Sequence, residues 1–248
     1  MRRTIVVLAV GGALAAIFSG GAPSAPSSST LNLTARFSTN VVGKYTCPPG
    51  PAIECFHQTA TTAVPGLGTT TMDTTLLLDA PGQSGCPPGR LSGTLTAATD
   101  SATFSGTSDC VPASGAATFT YAFTGGSGAF GGASGTGQIS HSFLLNGFQY
   151  VWSGTLTVPA YSFDTTPPTF SGIHSKTVHA RRHARRARVR YSVTAQDDVD
   201  GAIHASCHPA SGAWFHLGRT TVRCRATDAH ANEADARFRV TVRRTGSN

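Results

Sequence analysis

The sequence predicts an all-β protein, with an antiparallel barrel or sandwich in its first part and a second β unit at its C-terminus. Two observations point there. Apolar residues recur with period two along several short segments, which puts one face of each in a core and the other in solvent. Turns such as Pro81-Gly82 and Pro87-Pro88-Gly89 separate those segments, and helical periodicity is absent after the N-terminus beyond a brief Ala/Arg/His stretch.

At the N-terminus, Arg2 and Arg3 precede an apolar run from Ile5 to Phe18 and then small, turn-forming residues. This is the layout of a secretory signal peptide, assigned to residues 1–25. The run is shorter than the roughly 20 apolar residues of a membrane-spanning helix, so no stable span is expected. The chain is expected to be secreted or to sit at the cell surface. Pro/Ser-rich residues 23–30 read as a flexible leader.

Residues 26–163 form the expected first domain. Phe119, Tyr121 and Phe123 alternate with Thr118, Thr120 and Ala122, and Phe148, Tyr150, Trp152, Leu156 and Val158 alternate with polar or small neighbours. Thr-rich runs at 69–78 and 91–99 supply further strands. The Gly-rich stretch 123–137 contains Gly126-x-Gly128-x-x-Gly131, a formal match to a dinucleotide fingerprint. That fingerprint needs a strand before it and a helix after it. No helix pattern follows here, so the stretch predicts a tight connection between strands that depends on glycine. It also resembles the glycine-rich turn of small secreted β-barrels related to allene oxide cyclase and dirigent proteins, a likeness that transfers no catalytic residue.

Charge separates this part from the rest. Residues 26–163 carry Arg36, Lys44 and Arg90 against Glu54, Asp73, Asp79, Asp100 and Asp109, whereas from residue 164 onward 14 basic residues face 7 acidic ones. The stiff Pro167-Pro168 pair marks the boundary. The cysteines divide as well: Cys47, Cys55, Cys86 and Cys110 precede it, and Cys207 and Cys224 follow it. An exported chain favours disulfides. Of the three pairings open to the first four, Cys47 with Cys55 and Cys86 with Cys110 close the shortest loops. No C-x-x-C pair is present to suggest zinc. Asn32-Leu33-Thr34 fits the glycosylation pattern.

After residue 164, four strand patterns are expected: Val189, Tyr191, Val193 and Ala195 on one face; a short strand around 203–207; one over 220–226; and Phe238, Val240 and Val242 alternating with Arg239, Thr241 and Arg243. Here the residues carry a family resemblance. Asp164-x-x-Pro167-Pro168, Tyr191-Ser192-Val193-Thr194-Ala195-x-Asp197-Asp198-Val199-Asp200-Gly201, Cys207-x-Pro209-Ala210-Ser211-Gly212, Gly218-x-Thr220-x-Val222-x-Cys224-x-Ala226-Thr227-Asp228 and Asn232 together resemble the hyalin repeat, or HYR domain, over residues 164–244. The resemblance implies an immunoglobulin-like sandwich used for adhesion or protein contact outside cells, without enzyme activity. Two departures stand out. Ala231 replaces the usual Gly of the turn before Asn232, which predicts a left-handed conformation at Asn232. An Arg-rich tract, residues 176–190, replaces a short, weakly charged link.

That tract holds Arg181, Arg182, Arg185, Arg186 and Arg188 with no acid among them, and these are the candidate binding residues. Such a run is either a solvated loop or an electrostatic patch for an anionic cell-wall polymer, acidic polysaccharide, nucleic acid or phospholipid headgroups, and export favours the first two over nucleic acid. No aromatic residue is interleaved for base stacking, which argues against nucleic acid. His179 and His183 could share a helix face as a metal pair, but the surrounding positive charge opposes a cation. Asp197, Asp198 and Asp200 before Gly201 read as an Asx-stabilised turn, too short of ligands for a calcium loop. No metal and no cofactor are therefore expected.

No nucleophile elbow and no zinc-protease motif is present, and surface or packing roles are expected for His57 and His141. The function expected is a secreted or surface-bound, non-enzymatic binding and adhesion protein, its partner an anionic polymer or an extracellular protein. The alternative is an enzyme or small-ligand carrier in the first domain, which would show a cavity lined by Tyr121, Tyr150 and Trp152 rather than a filled interior.

Overall fold

The computed structural model describes residues 28–245 apart from 40–42, 83–84 and 146. The expected signal peptide, residues 1–25, lies outside the described residues. The first part consists of β1 (Ser29–Thr39), β2 (Gly43–Tyr45), β3 (Ala52–Val64), β4 (Gly68–Asp79), β5 (Gly89–Ala97), β6 (Asp100–Ser108), β7 (Ala117–Ser127), β8 (Thr136–Leu144) and β9 (Gly147–Val158). They make one antiparallel sheet in the order β1-β9-β8-β7-β6-β5-β4-β3-β2. It is an up-and-down meander in which β1 returns to pair with β9. β1 also lies against β3, but no ladder joins them, so the sheet curls without closing into a hydrogen-bonded barrel. The leader is shorter than expected, since Ser29 and Thr30 already pair with Val158 and Thr157.

The alternating residues fill the inside of this curl. Phe119, Tyr121 and Phe123 on β7 and Phe148, Tyr150, Trp152, Leu156 and Val158 on β9 are all buried. Trp152 packs edge-on against Phe104, with ring centroids 4.7 Å apart, and against Phe37 at 6.4 Å. The alternation of β9 passes through Gly154, where a Cβ would lie 2.7 Å from Tyr121 Oη and 2.4 Å from Thr136 O. A side chain there would push β8 and Tyr121 out of place. The Gly-rich stretch runs from the end of β7 through a 3₁₀ turn, Gly128–Phe130, to the start of β8, as expected of a strand connection. Gly128 has φ +63°, a conformation that glycine adopts without strain.

The C-terminal part contains β10 (Thr169–Ser171), β11 (Lys176–Ala180), β12 (Arg186–Arg188), β13 (Thr194–Asp197), β14 (Gly201–Ile203), β15 (Ser206–His208), β16 (Trp214–His216), β17 (Gly218–Thr227) and β18 (Glu233–Arg244). They form sheets β10-β13-β14, β11-β18-β17-β15 and β12-β16, with β11 parallel to β18. Phe215, Val222, Cys224, Phe238, Val240 and Val242 are at the centre of a second hydrophobic cluster, separate from that of the first sheet.

Two expectations about strands are corrected. Residues 189–193 keep the predicted alternation of burial but are not a strand. Their backbone bonds go to a turn instead, with Val189 N–H donating to Ala213 O at 3.1 Å and Tyr191 N–H to Ser211 Oγ at 2.9 Å. The segment around 203–207 is two short strands in different sheets. The disulfides are Cys47–Cys55, Cys86–Cys110 and Cys207–Cys224, the last joining directly opposed residues of β15 and β17.

Candidate functional site

The Arg-rich tract is a strand, a turn and a short strand, with Arg181, Arg182 and Arg185 in the connection and Arg186 and Arg188 on β12. Its first residues form β11, the chain turns at 181–184, where Ala184 N–H donates to Arg181 O at 2.9 Å, and β12 follows. Because His179 lies in a strand and His183 sits in that turn at φ +68°, the two do not share a helix face. Arg181, Arg182, Arg185, Arg186 and Arg188 are all exposed. β12 pairs with β16, and this brings Trp214, 53% exposed, beneath two of them. The Arg186 guanidinium lies 4.8 Å from the indole centroid and that of Arg188 6.0 Å. Cation–π contact of this kind holds the side chains extended over the ring. No sequence spacing shows that Trp214 joins this tract.

A second set of arginines was missed in the sequence. On β17, Val222, Cys224 and Ala226 face the core, so Arg219, Arg223 and Arg225 face solvent; on β18, Phe238, Val240 and Val242 face inward, leaving Arg237, Arg239 and Arg243 outside. The register sets Arg223 directly opposite Arg237 and Arg239 opposite Thr221. β15 adds His208 opposite Arg223, and β11 adds His179 opposite Arg243. At one end Arg225 is neutralised by Asp235 at 3.1 Å and Glu233 at 3.6 Å. Among the described residues, Arg219, Arg223, Arg237, Arg239 and Arg243 form no ion pair. Like charges directly opposed across a ladder cost up to about 1 kcal/mol, so this face carries a stability penalty. Ala180 is in register with Arg244, so the tract leaves the sheet beside Arg243 and Arg244. The period-two signal on each strand was legible; the pairing that aligns them was not.

The family model described as the HYR domain matches residues 163–242. This region is a HYR domain. No curated protein and no solved structure matches the chain. A HYR domain is an immunoglobulin-like sandwich of the extracellular, adhesion type, and the three disulfides suit an oxidising location. Among the described residues no helix is long and apolar enough to cross a membrane.

The other residues singled out in the sequence fall as follows. Asp197 of the HYR domain caps its turn, accepting Val199 N–H and Asp200 N–H on Oδ1 at 2.9 Å each. The amides of Asp200 and Val199 hold its carboxyl below the usual range. Asp198 points to solvent, whereas Asp197 and Asp200 turn inward toward Asp164 and Asp228. Ala231, not Asn232, takes the left-handed conformation, with φ +62°. Asn232 is held in place by its own bonds: its N–H donates to Asp228 Oδ1 at 2.8 Å and its Nδ2 to Asp164 O at 3.0 Å. In the first sheet, His57 is exposed and pairs with Asp73 at 2.9 Å. His141 is buried among Phe119, Phe143, Phe148 and Tyr150, with Nδ1 2.8 Å from Gly115 O. Burial lowers its pKa to about 4. Tyr121, Tyr150 and Trp152 pack against other side chains, and Tyr150 Oη donates to Gln58 Oε1 across the curl.

Proposed function

We propose that the chain is an exported, non-enzymatic binding protein in which the HYR domain holds an anionic surface polymer, such as an acidic polysaccharide or cell-wall polymer, on its arginine face. A leader at 1–25, a disulfide-stapled β unit at 26–163 and the HYR domain at 164–244 make up the proposed organisation. The observation that carries the proposal is the run of unpaired arginines on β17 and β18, with Arg223 set against Arg237. A fold gains nothing internally from such an arrangement, and a polyanion laid across it would relieve the repulsion while gaining several charge contacts. The exposed arginine rows of β17 and β18 and the Arg186–Trp214–Arg188 stack suit an elongated ligand rather than a small molecule. The interior of the first sheet is filled by side chains around Tyr121, Tyr150 and Trp152, which argues against the ligand-carrier alternative.

The test is retention on immobilised heparin, a chemically defined polyanion, and on the host's cell-wall fraction across a salt series. Wild type is expected to bind at low salt and elute as screening shortens the reach of each charge to about 10 Å or less. Serine replacement of Arg219, Arg223, Arg237 and Arg239 is expected to abolish retention at about 0.15 M salt, and replacement of Arg181, Arg182, Arg185, Arg186 and Arg188 to weaken it. Unchanged elution of both variants would overturn the proposal.

A further inference from the structure

Four carboxylates from three separate stretches of chain meet where the HYR domain adjoins the first sheet. Asp164 comes from the linker, Asp197 from the end of β13, Asp200 from the turn that follows it, and Asp228 from the β17–β18 turn. One oxygen from each lies within 4.8 Å of the others. Asp164, Asp197 and Asp228 are 7%, 4% and 8% exposed. Each is partly tied by backbone amides: Asp164 Oδ1 accepts Thr166 N–H at 3.0 Å, Asp228 Oδ1 accepts Asn232 N–H, and Asp200 Oδ2 accepts Ala229 N–H at 3.0 Å. The other oxygen of Asp197, Oδ2, is buried and has no hydrogen-bond partner, and Asp164 Oδ2 has none either, although His230 Nδ1 stands 3.2 Å from it.

We propose that Asp164, Asp197, Asp200 and Asp228 bind one calcium ion. Burying a carboxylate oxygen with no partner costs free energy, and gathering four carboxylates compounds that cost, unless a cation completes the site. Among the described residues no Lys or Arg pairs with any of the four, and the one basic side chain beside them is His230, whose Nδ1 stands 3.2 Å from both Asp164 Oδ2 and Asp200 Oδ2. Calcium takes oxygen ligands at about 2.3–2.6 Å, so all its ligands lie within about 5 Å of one another, a limit these four oxygens meet. An all-carboxylate set selects a hard cation over zinc or copper, which favour nitrogen and sulfur.

The ion would also fix the junction. The β17–β18 turn that supplies Asp228 is bonded on its far side to the first sheet, where Gly66 N–H donates to His230 O at 2.8 Å. At Gly68 a Cβ would lie 2.4 Å from Ala229 O, so the two surfaces are in close contact. An ion on Asp164 and Asp228 therefore clamps the linker to the turn on which the β3–β4 turn rests. This proposal does not depend on the arginine face, which lies on the outer side of β17 and β18.

Calorimetric titration of the chelator-treated mature chain with calcium chloride tests it. The expected result is a single site with a dissociation constant on the order of 10⁻³ M or tighter, the range of extracellular calcium modules. In Asp197→Asn the amide oxygen still accepts the two turn N–H groups, so the fold is retained while calcium affinity falls by roughly tenfold or more. Thermal unfolding in chelator verifies that this variant is folded, and there it should melt at or above wild type because repulsion is relieved. No calcium binding at 10⁻² M, about tenfold above the dissociation constant of the weakest modules, would overturn the proposal. So would equal affinity in Asp197→Asn, or zinc binding tighter than calcium and lost in His230→Ala, which would assign the site to Asp164, Asp200 and His230.

Discussion

The two halves of the molecule solve the problem of holding a β-sheet together in different ways. The first sheet curls around large aromatic side chains: Trp152, Tyr121, Tyr150, Phe37, Phe119 and Phe148 are fully buried. The HYR domain has a thin core of Val, Phe and Ala in which the Cys207–Cys224 bridge is itself a member. Its remaining order comes from polar turns, the Asp197 cap and the Asp228–Asn232–Asp164 bonds. The first half spends its charge sparingly and keeps it at the surface. The second buries carboxylates at one end and displays arginines across one face. A domain stabilised by a large apolar interior leaves its surface free, whereas the thin HYR domain relies on polar contacts and brings charge into its structure, where both proposed sites lie.

Three experiments would break or sharpen that contrast. The largest effect is expected from Trp152→Ala, which removes the side chain on which Phe37, Phe104, Tyr121 and Phe123 converge. A loss of about 3–5 kcal/mol is expected in chemical denaturation of the first sheet. If the halves unfold separately, the transition of the HYR domain should stay in place; movement of both by the same amount would show one cooperative unit.

Acid should also act on the first half. His141 titrates near 6.5 when unfolded, but burial holds it at about 4 in the fold. Between those values the unfolded chain binds more protons than the folded one, so stability is full above pH 6.5 and declines as pH falls toward 4. The decline attributable to this group is up to about 3 kcal/mol. His141→Phe should flatten that part of the pH profile, measured by urea denaturation from pH 7 to pH 4. A profile unchanged by the substitution would assign the acid sensitivity to other groups.

The smallest effect is on the HYR side. Ala231 holds φ +62°, where a Cβ is strained and glycine is not. Ala231→Gly should stabilise the HYR domain by about 1 kcal/mol, less the entropy that glycine adds to the unfolded chain. A loss of stability in differential scanning calorimetry would mean that the Ala231 methyl contributes more through packing than its backbone costs.

The sequence by itself determined the all-β class, the burial of β7 and β9, the disulfide partners favoured by short loops, and the HYR resemblance. All of these rest on local signals: period-two alternation, loop closure and fixed spacing along one stretch of chain. It also marked the Arg-rich tract, but not the strands β11 and β12 at its two ends, because a basic run without apolar alternation gives no strand signal. Tertiary structure alone decided the rest. Whether the first sheet closes depends on how far nine twisted strands curl, which no segment encodes. Arg223 meets Arg237, and Trp214 meets Arg186, only through strand pairing. Asp164, Asp197, Asp200 and Asp228 are scattered along the chain, so the carboxylate cluster exists only once the linker and two turns are brought together. Asparagine tolerates the left-handed conformation best, so the sequence points to Asn232. The fold put the strain on Ala231 instead, since the bonds of Asn232 to Asp228 and Asp164 leave that residue no freedom to take it.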